Sequence, residues 1–165
     1  MTDFSYDNDF ATLARFGDVD EMAKLVGFVS PDGVERALEI ASVLGNANVI
    51  RFLIGNTMVT DGENVCLFKA VRTGCVECVE WVSSVSDPKH NFSEPLRLAL
   101  VLDYREIADF LLPLSDLQEA LTYFYQFNPE QNECIAYLEE HIARNQRATL
   151  LAHTPQHPSA GARKI

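Results

Sequence analysis

A helical hairpin pattern that recurs along the chain constrains the fold more than any other feature. Within residues 94–112, Pro95 suits the first turn of a helix, where a missing N–H costs nothing, and Leu96 and Ala99 begin its apolar face. Asp103 interrupts this helix, and a second apolar face follows with i, i+3, i+4 spacing. Two short antiparallel helices are therefore predicted for this stretch.

The same order of apolar and turn residues is found in earlier parts of the chain. Residues 36–54 and 65–83 repeat it at matching offsets, and a weaker copy lies within residues 10–26. The turn positions of the four copies are Gly17, Gly45, Gly74 and Asp103, which gives a period of 28 to 29 residues. A fixed period of this size is typical of proteins that stack one structural unit on the next.

Individual residues of the copies resemble the ankyrin-repeat family. The stretch Glu-Pro-Leu-Arg-Leu-Ala at 94–99 is similar to the family's Thr-Pro-Leu-His-x-Ala signature, and Ala41, Gly45, Val49 and Leu53 resemble positions of its helix pair. The resemblance covers most of the chain, with a period shorter than the family's usual repeat of about 33 residues. We expect the missing residues to come from the inter-repeat hairpin, which leaves short loops in place of long β-fingers.

The resemblance implies an all-α, ankyrin-like solenoid of four to five stacked helix-turn-helix repeats with short inter-repeat loops. The repeats are expected near 10–29, 34–60, 64–87 and 93–114, followed by a capping pair at 115–143 and a mobile basic tail at 144–165. Residues 1–9 are expected to form a short lead-in that covers the first repeat, because the end units of a stack must shield its open core.

Length and composition favour one soluble domain. The chain has 165 residues, of which 47% are hydrophobic, so it is long enough to bury a sizeable core. No apolar run approaches the roughly 20 residues that a membrane span requires, and the acidic N-terminus is unlike a signal peptide. We expect a cytoplasmic protein without membrane contact; the cytoplasm would be a host's if the chain is a viral or bacterial effector, as some small members of the resembled family are.

Charge is distributed unevenly along the chain. All 24 acidic residues and 9 of the 13 basic residues precede Arg144, so that part carries a net charge of −15, whereas residues 144–165 carry +4. An acidic body repels nucleic acid and attracts basic partners, so we expect no direct nucleic-acid binding. Two interpretations remain open: a solvated surface with no dedicated partner, or a mimic of nucleic acid that fills a basic groove.

No motif for catalysis, a cofactor or a metal emerges. The chain has no phosphate-binding glycine loop, no H-E-x-x-H and no recognisable grouping of a nucleophile, a histidine and an acid. Cys75 and Cys78 form a C-x-x-C, but they lack the βαβ setting of a thioredoxin-like motif and the two further ligands of a zinc site. Buried free cysteines are the expectation, with Cys78 and Cys134 at apolar repeat positions. We therefore expect a protein that is not an enzyme and needs no cofactor.

A candidate partner-binding site follows from the resemblance. In ankyrin-like stacks, the residues just before the glycine corner face outward on a concave surface. Here those residues are Arg15, Phe16, Val43, Leu44, Arg72, Val101 and Leu102. They predict a contiguous apolar strip flanked by Arg15 and Arg72, and exposed apolar strips usually mark partner sites. The alternative is that the short repeats tilt the helices, so that these side chains pack between neighbours.

An aromatic cluster supplies one further candidate, Tyr123. It belongs to a run with Phe124, Tyr125 and Phe127, which cannot all face one way on a helix, so at least one ring should be exposed. The cluster serves either as a cap over the core or as a binding hot spot. The predicted function is an adaptor or inhibitor that binds an unidentified partner protein. The alternative is an acidic decoy that blocks a nucleic-acid-binding protein, and its binding would weaken far more steeply with salt.

Overall fold

The computed structural model describes residues 4–153, in which ten α-helices follow one another as five consecutive pairs. No β-strand occurs in this range, so the predicted all-helical class is confirmed. The pairs are α1 (Phe4–Phe16) with α2 (Val19–Leu25), α3 (Pro31–Leu44) with α4 (Ala47–Asn56), α5 (Val65–Thr73) with α6 (Val76–Ser83), α7 (His90–Val101) with α8 (Arg105–Leu111), and α9 (Leu117–Phe127) with α10 (Asn132–His153). Short 3-10 turns at Val26–Phe28 and Leu112–Leu114 follow α2 and α8.

The first four pairs turn at the positions that the period predicts. Gly17, Gly45 and Gly74 have φ angles of 79°, 68° and 72°, and Asp103 has 57°, so all four adopt the left-handed conformation that favours glycine. We call these four residues the corners. At three corners the next N–H bonds the carbonyl five residues back, as Asn46 does to Ala41 at 2.9 Å. This Schellman arrangement ends one helix and starts the next within two residues.

Successive pairs pack on one another in chain order. The first helix of each pair contacts the first helix of the next, from α1 through α3, α5 and α7 to α9, and α2, α4, α6 and α8 form a second row. The core lies between the two rows and repeats the same positions in each pair. Its largest fully buried side chains include Phe10, Met22, Leu38, Ile50, Leu53, Leu67, Leu96, Ile107, Leu111, Phe124 and Leu138. One continuous core therefore runs through all five pairs.

At the edge opposite the corners, polar side chains form hydrogen-bonded ties between the start of a helix pair and the loop that follows the pair. We call this edge the loop edge. Three of these ties join residues 23 positions apart, namely Asp7 with Ser30, Asn64 with Asp87, and Ser93 with Asp116. In the first, the Asp7 carboxylate accepts hydrogen bonds from the Ser30 N–H at 2.9 Å and from its hydroxyl at 2.6 Å.

Asp61 makes the most buried of the loop-edge contacts, with 5% of its surface exposed. Its carboxylate accepts the N–H groups of Cys66 at 3.1 Å and Leu67 at 2.8 Å, which have no partner inside α5 because they belong to its first turn. It also accepts the hydroxyl of Ser86 at 2.9 Å. Asp61 thus caps α5 and joins the loops on either side of the third pair.

The fourth pair begins with an unusual backbone segment. Asn91, Phe92 and Ser93 have φ angles of 51° to 57°, so three consecutive residues other than glycine are left-handed. The guanidinium of Arg97, one right-handed turn later, donates to the carbonyls of Asn91 and Phe92 at 2.9 Å each. The right-handed part of α7 starts around Pro95, where the sequence predicted a helical first turn.

Both ends of the chain are more helical than predicted. Helix α1 begins at Phe4, before the predicted first repeat, so most of the expected lead-in belongs to the first helix, which buries Phe10 in the core. At the other end, the last helix was expected to stop at Ala143, but α10 continues to His153 through a run rich in helix-forming residues. The rest of the predicted tail, residues 154–165, lies outside the described residues.

Candidate functional site

The seven residues predicted to form the strip lie one or two positions before a corner, at the end of the first helix of a pair. We call them, together with Thr73, the corner strip. Their apolar side chains are exposed, with relative exposures of 78% for Phe16, 50% for Val43, 52% for Leu44, 49% for Val101 and 40% for Leu102. These side chains are therefore not packed between neighbouring helices, which was the alternative that the sequence left open.

Local helix geometry explains this exposure. The two residues that come three and four positions before a corner face the core, as Ala41 and Ser42 do before Gly45. Each further residue rotates the helix by about 100°, so Val43 and Leu44 turn away from the core. Because the helix then ends at the corner, no following turn covers them.

The corners of successive pairs lie close to one another. A Cβ placed on Gly17 would be 2.7 Å from the amide nitrogen of Asn46, and one on Gly45 would be 3.6 Å from the hydroxyl of Thr73. A Cβ on Gly74 would be 3.2 Å from the ring of Tyr104. Each of the first three corners therefore lies beside the turn of the next pair.

Two cations lie among the apolar residues of the corner strip. Arg15 and Arg72 are exposed, and neither makes an ion pair within residues 4–153. Their guanidinium groups are consequently available to a carboxylate or carbonyl of a partner. The corner edge thus exposes apolar residues on the first, second and fourth pairs, and Arg72 and Thr73 separate those of the fourth pair from the rest.

Tyr123 lies beyond the strip, in a groove of about 220 Å³ that is also lined by Val101, Leu98 and Phe68. The Arg97 guanidinium lies 3.4 Å from the centre of the Tyr123 ring and, being 93% buried, holds that ring in place. The structure thus brings two predicted site residues, Val101 and Tyr123, to one groove. Tyr123 is half-buried and offers one edge to a ligand.

The aromatic cluster divides as its helical spacing requires. Phe124 is buried, whereas Tyr125 and Phe127 are exposed to 51% and 61%. Phe127 belonged to the predicted aromatic cluster but was not named as a site residue; it ends α9, and its ring centre lies 4.9 Å from that of Tyr123. The available signal was its position directly before Asn128, where the fifth pair turns.

Two exposed apolar residues at the loop edge were also missed. Phe28 is 67% exposed and stacks on Tyr6 with ring centres 5.7 Å apart, and Met58 is fully exposed. Both follow the second helix of a pair, in loops for which the repeat pattern gives no expectation. No sequence signal distinguished them from ordinary loop residues.

The cysteines differ in part from the expectation. Cys75 and Cys78 form a disulfide, so the prediction of free thiols is wrong for this pair, although Cys78 is buried as predicted. Cys75 caps α6 and accepts the N–H of Cys78, which brings both sulfurs to one side of the first turn. Cys66 and Cys134 are free and buried, and burial raises the pKa of the Cys66 thiol to about 12, so it stays protonated.

Comparison with protein-family models, with curated proteins and with solved structures found no match to this chain. Across residues 4–153, no group of three or more histidine, cysteine, aspartate or glutamate side chains is arranged to hold a metal ion. The helices of the same range include none with the length and apolarity needed to cross a membrane. The corner strip is therefore the candidate site on which a functional proposal depends.

Proposed function

We propose that this chain is a short-period, ankyrin-like repeat protein that binds a partner protein through its corner strip. The repeat assignment is supported by four left-handed corners at a spacing of 28 to 29 residues and by the packing of each helix pair on the next. In such a stack each unit buries its apolar surface against its neighbours, so the outward faces are left for recognition.

The observation that carries the proposal is the exposure of apolar side chains at equivalent positions of the first, second and fourth pairs, whereas the third pair has Arg72 and Thr73 there. Phe16, Leu44 and Leu102 occupy the same place before three different corners and are 40% to 78% exposed. Exposed apolar side chains scattered singly are common, but several of them grouped along one edge are typical of an interaction site. Burial against a partner would remove this surface from water.

The role we propose is that of an adaptor or an inhibitor that acts by occupying its partner. A strip across several helices presents a long, shallow surface, and the described grooves beside it are open. Such a surface suits a protein segment better than a small molecule, which is usually held in an enclosed pocket. Binding requires neither a cofactor nor a chemical step.

The test is affinity capture with the intact protein and a Leu44→Glu, Leu102→Glu variant. We expect recovery of specific proteins to fall by roughly tenfold or more, because two apolar contacts at the centre of the interface are replaced by charges. The matched control is Met58→Glu, Leu114→Glu, which adds the same charge at exposed apolar positions away from the strip and should leave recovery unchanged. Equal recovery by the strip variant would refute the proposal.

Salt dependence separates this function from that of an acidic decoy. Binding through apolar contacts should change little between low and moderate salt, whereas a nucleic-acid mimic held by the charge of −15 over residues 1–143 should weaken steeply. A steep loss with salt, together with competition by nucleic acid for the captured protein, would favour the decoy.

A further inference from the structure

The end of α10 projects from the body of the protein. The first half of the helix is held by side-chain hydrogen bonds, from Tyr125 to Glu139 and from Tyr137 to Asp109. From 144 to 152 every residue is exposed. Because α10 starts at the corner edge and is twice as long as α9, with 22 residues against 11, its last turns extend past the loop edge by about 15 Å.

This projecting segment is cationic on one side. Arg144, Arg147 and Leu151 have i, i+3, i+7 spacing, so they share one face of the helix. Leu151 is 75% exposed, and no acidic residue occurs after Glu140. Arg144 pairs with Glu140 at 2.8 Å, but both side chains are about two-thirds exposed, and such pairs are weak and exchange readily.

An acidic groove lies at the same edge of the molecule, between the beginnings of α3 and α5. It has a volume of about 660 Å³, and its lining includes the carboxylates of Asp32, Glu35 and Glu63, one cation, Arg36, and the apolar residue Leu38. These three carboxylates make no ion pair among the residues that the structure describes. Val65, 41% exposed, adds an apolar rim.

The groove and the projecting segment of one chain cannot meet each other. The groove belongs to the second and third pairs, whereas α10 belongs to the fifth, and neighbouring helices are spaced roughly 8 to 10 Å apart. The segment continues a helix that is anchored at Tyr137 and Glu139, so its direction is fixed. A second copy can supply the missing partner, because both features open at the loop edge.

We propose that two copies of this chain associate through their loop edges, each placing the end of α10 in the acidic groove of the other. Arg144 and Arg147 then face Glu35 and Glu63 of the second copy, and Leu151 covers the apolar part of the groove. The exchange is reciprocal, so it follows two-fold symmetry and closes at a dimer. It leaves both corner strips uncovered at the opposite edges and does not depend on what they bind.

Charge complementarity favours this occupant over other segments. Residues 1–143 carry a net charge of −15, whereas the projecting segment has Arg144 and Arg147 and no acidic residue, so two acidic bodies repel one another unless this segment lies between them. Two reciprocal contacts double the area that one contact would bury. Association should therefore be strongest at low salt and weaken as salt screens the charges.

The first test is the mass of the intact protein in solution over a range of concentrations. Sedimentation or light scattering at low salt should show the 18.5 kDa chain converting to a species of twice that mass, and moderate salt should reverse the change. A monomer at every concentration at low salt would overturn the proposal. A dimer that is insensitive to salt would overturn it too.

The second test exchanges the charges of the two surfaces. Arg144→Glu, Arg147→Glu in one variant and Glu35→Lys, Glu63→Lys in another should each abolish association, while a mixture of the two should restore a dimer containing one of each. All four side chains are exposed, so folding is expected to persist and is checked by circular dichroism. Arg51→Glu, on the exposed side of α4, is the control and should dimerise normally. A mixture that stays monomeric would contradict the assigned pairing.

Discussion

The corner edge and the loop edge of this protein are built in different ways. At the corner edge, one backbone arrangement recurs four times, and it requires only a residue that tolerates a positive φ. At the loop edge, specific side chains make the connections, as Asp7 does with Ser30 and as Asp61 does with the first turn of α5. The second pair shows no such tie among the described residues.

This difference shows where the protein depends on particular side chains. The corner hydrogen bonds join backbone groups, so the exposed residues before each corner contribute little to folding. The loop-edge hydrogen bonds satisfy buried backbone groups with single side chains, and their loss leaves those groups unpaired. We therefore expect substitutions to be costly at the loop edge and mild at the corner strip.

The largest effect is expected in the core that both edges share. Leu53 is fully buried in α4, and Leu53→Ala should lower the free energy of unfolding by about 2 to 5 kcal/mol through the lost burial and the cavity left behind. Chemical denaturation measures this change, and the losses of stability at the two edges can then be compared with it. A loss below about 0.5 kcal/mol would place Leu53 outside the core.

A smaller loss is expected from the most buried loop-edge contact. Asp61→Ala should cost about 2 to 3 kcal/mol, because the N–H groups of Cys66 and Leu67 lose their acceptor in a buried setting. Asp61→Asn keeps one acceptor oxygen, so its free energy of unfolding should lie between those of the wild-type protein and Asp61→Ala in a denaturation experiment. If Asp61→Ala costs no more than a strip variant such as Leu44→Ala, the contrast between the edges is wrong.

Corner substitutions should have opposite signs at equivalent positions. Gly45→Ala should cost about 1 kcal/mol, since its φ of 68° is strained for alanine while its nearest neighbour, at 3.6 Å, leaves room for a Cβ. Asp103→Gly should stabilise by about 0.5 kcal/mol, because it relieves a φ of 57°. Thermal unfolding of both variants tests this, and equal signs would show that the corners are not equivalent.

The smallest expected effect is a pH dependence at the first loop-edge tie. Hydrogen bonds from Ser30 lower the pKa of Asp7 below its ordinary value of 3.8. A lowered folded-state pKa contributes stability above the ordinary pKa, and this is lost as the pH falls through the lower value. The stability difference between the wild-type protein and Asp7→Asn should therefore shrink on acidification below about pH 4. Denaturation at neutral and acidic pH measures this difference in stability. If the difference does not change with pH, the Asp7 carboxylate does not stabilise the contact with Ser30.

The same contrast explains which parts of the fold the sequence could predict. The period of the corner residues predicted the all-helical class and the first four helix pairs, because a corner depends on one residue and its near neighbours. The family resemblance, and not the period, placed the residues just before the corners on an outward face, with packing between neighbouring helices as the open alternative. Phe127 was missed, since the fifth pair turns at Asn128 without the left-handed residue that marks the others.

Contacts between distant residues could not be predicted in this way. The ties across 23 residues use different side chains in each pair, so they leave no repeated pattern in the sequence. The left-handed segment before α7 depends on Arg97, whose guanidinium reaches back to carbonyls that propensity rules do not consider. The disulfide likewise could not be predicted without knowing that Cys75 caps α6, because this position places its sulfur next to that of Cys78.

The exposure of the corner strip also bears on how such a protein changes over generations. Random substitution at surface positions usually alters folding free energy by no more than about 0.5 kcal/mol, so the strip can drift with little penalty. Each accepted change nonetheless alters the shape and charge that a target meets. Under the proposed function, a lineage of these chains can therefore acquire a new partner protein while keeping the same helical architecture.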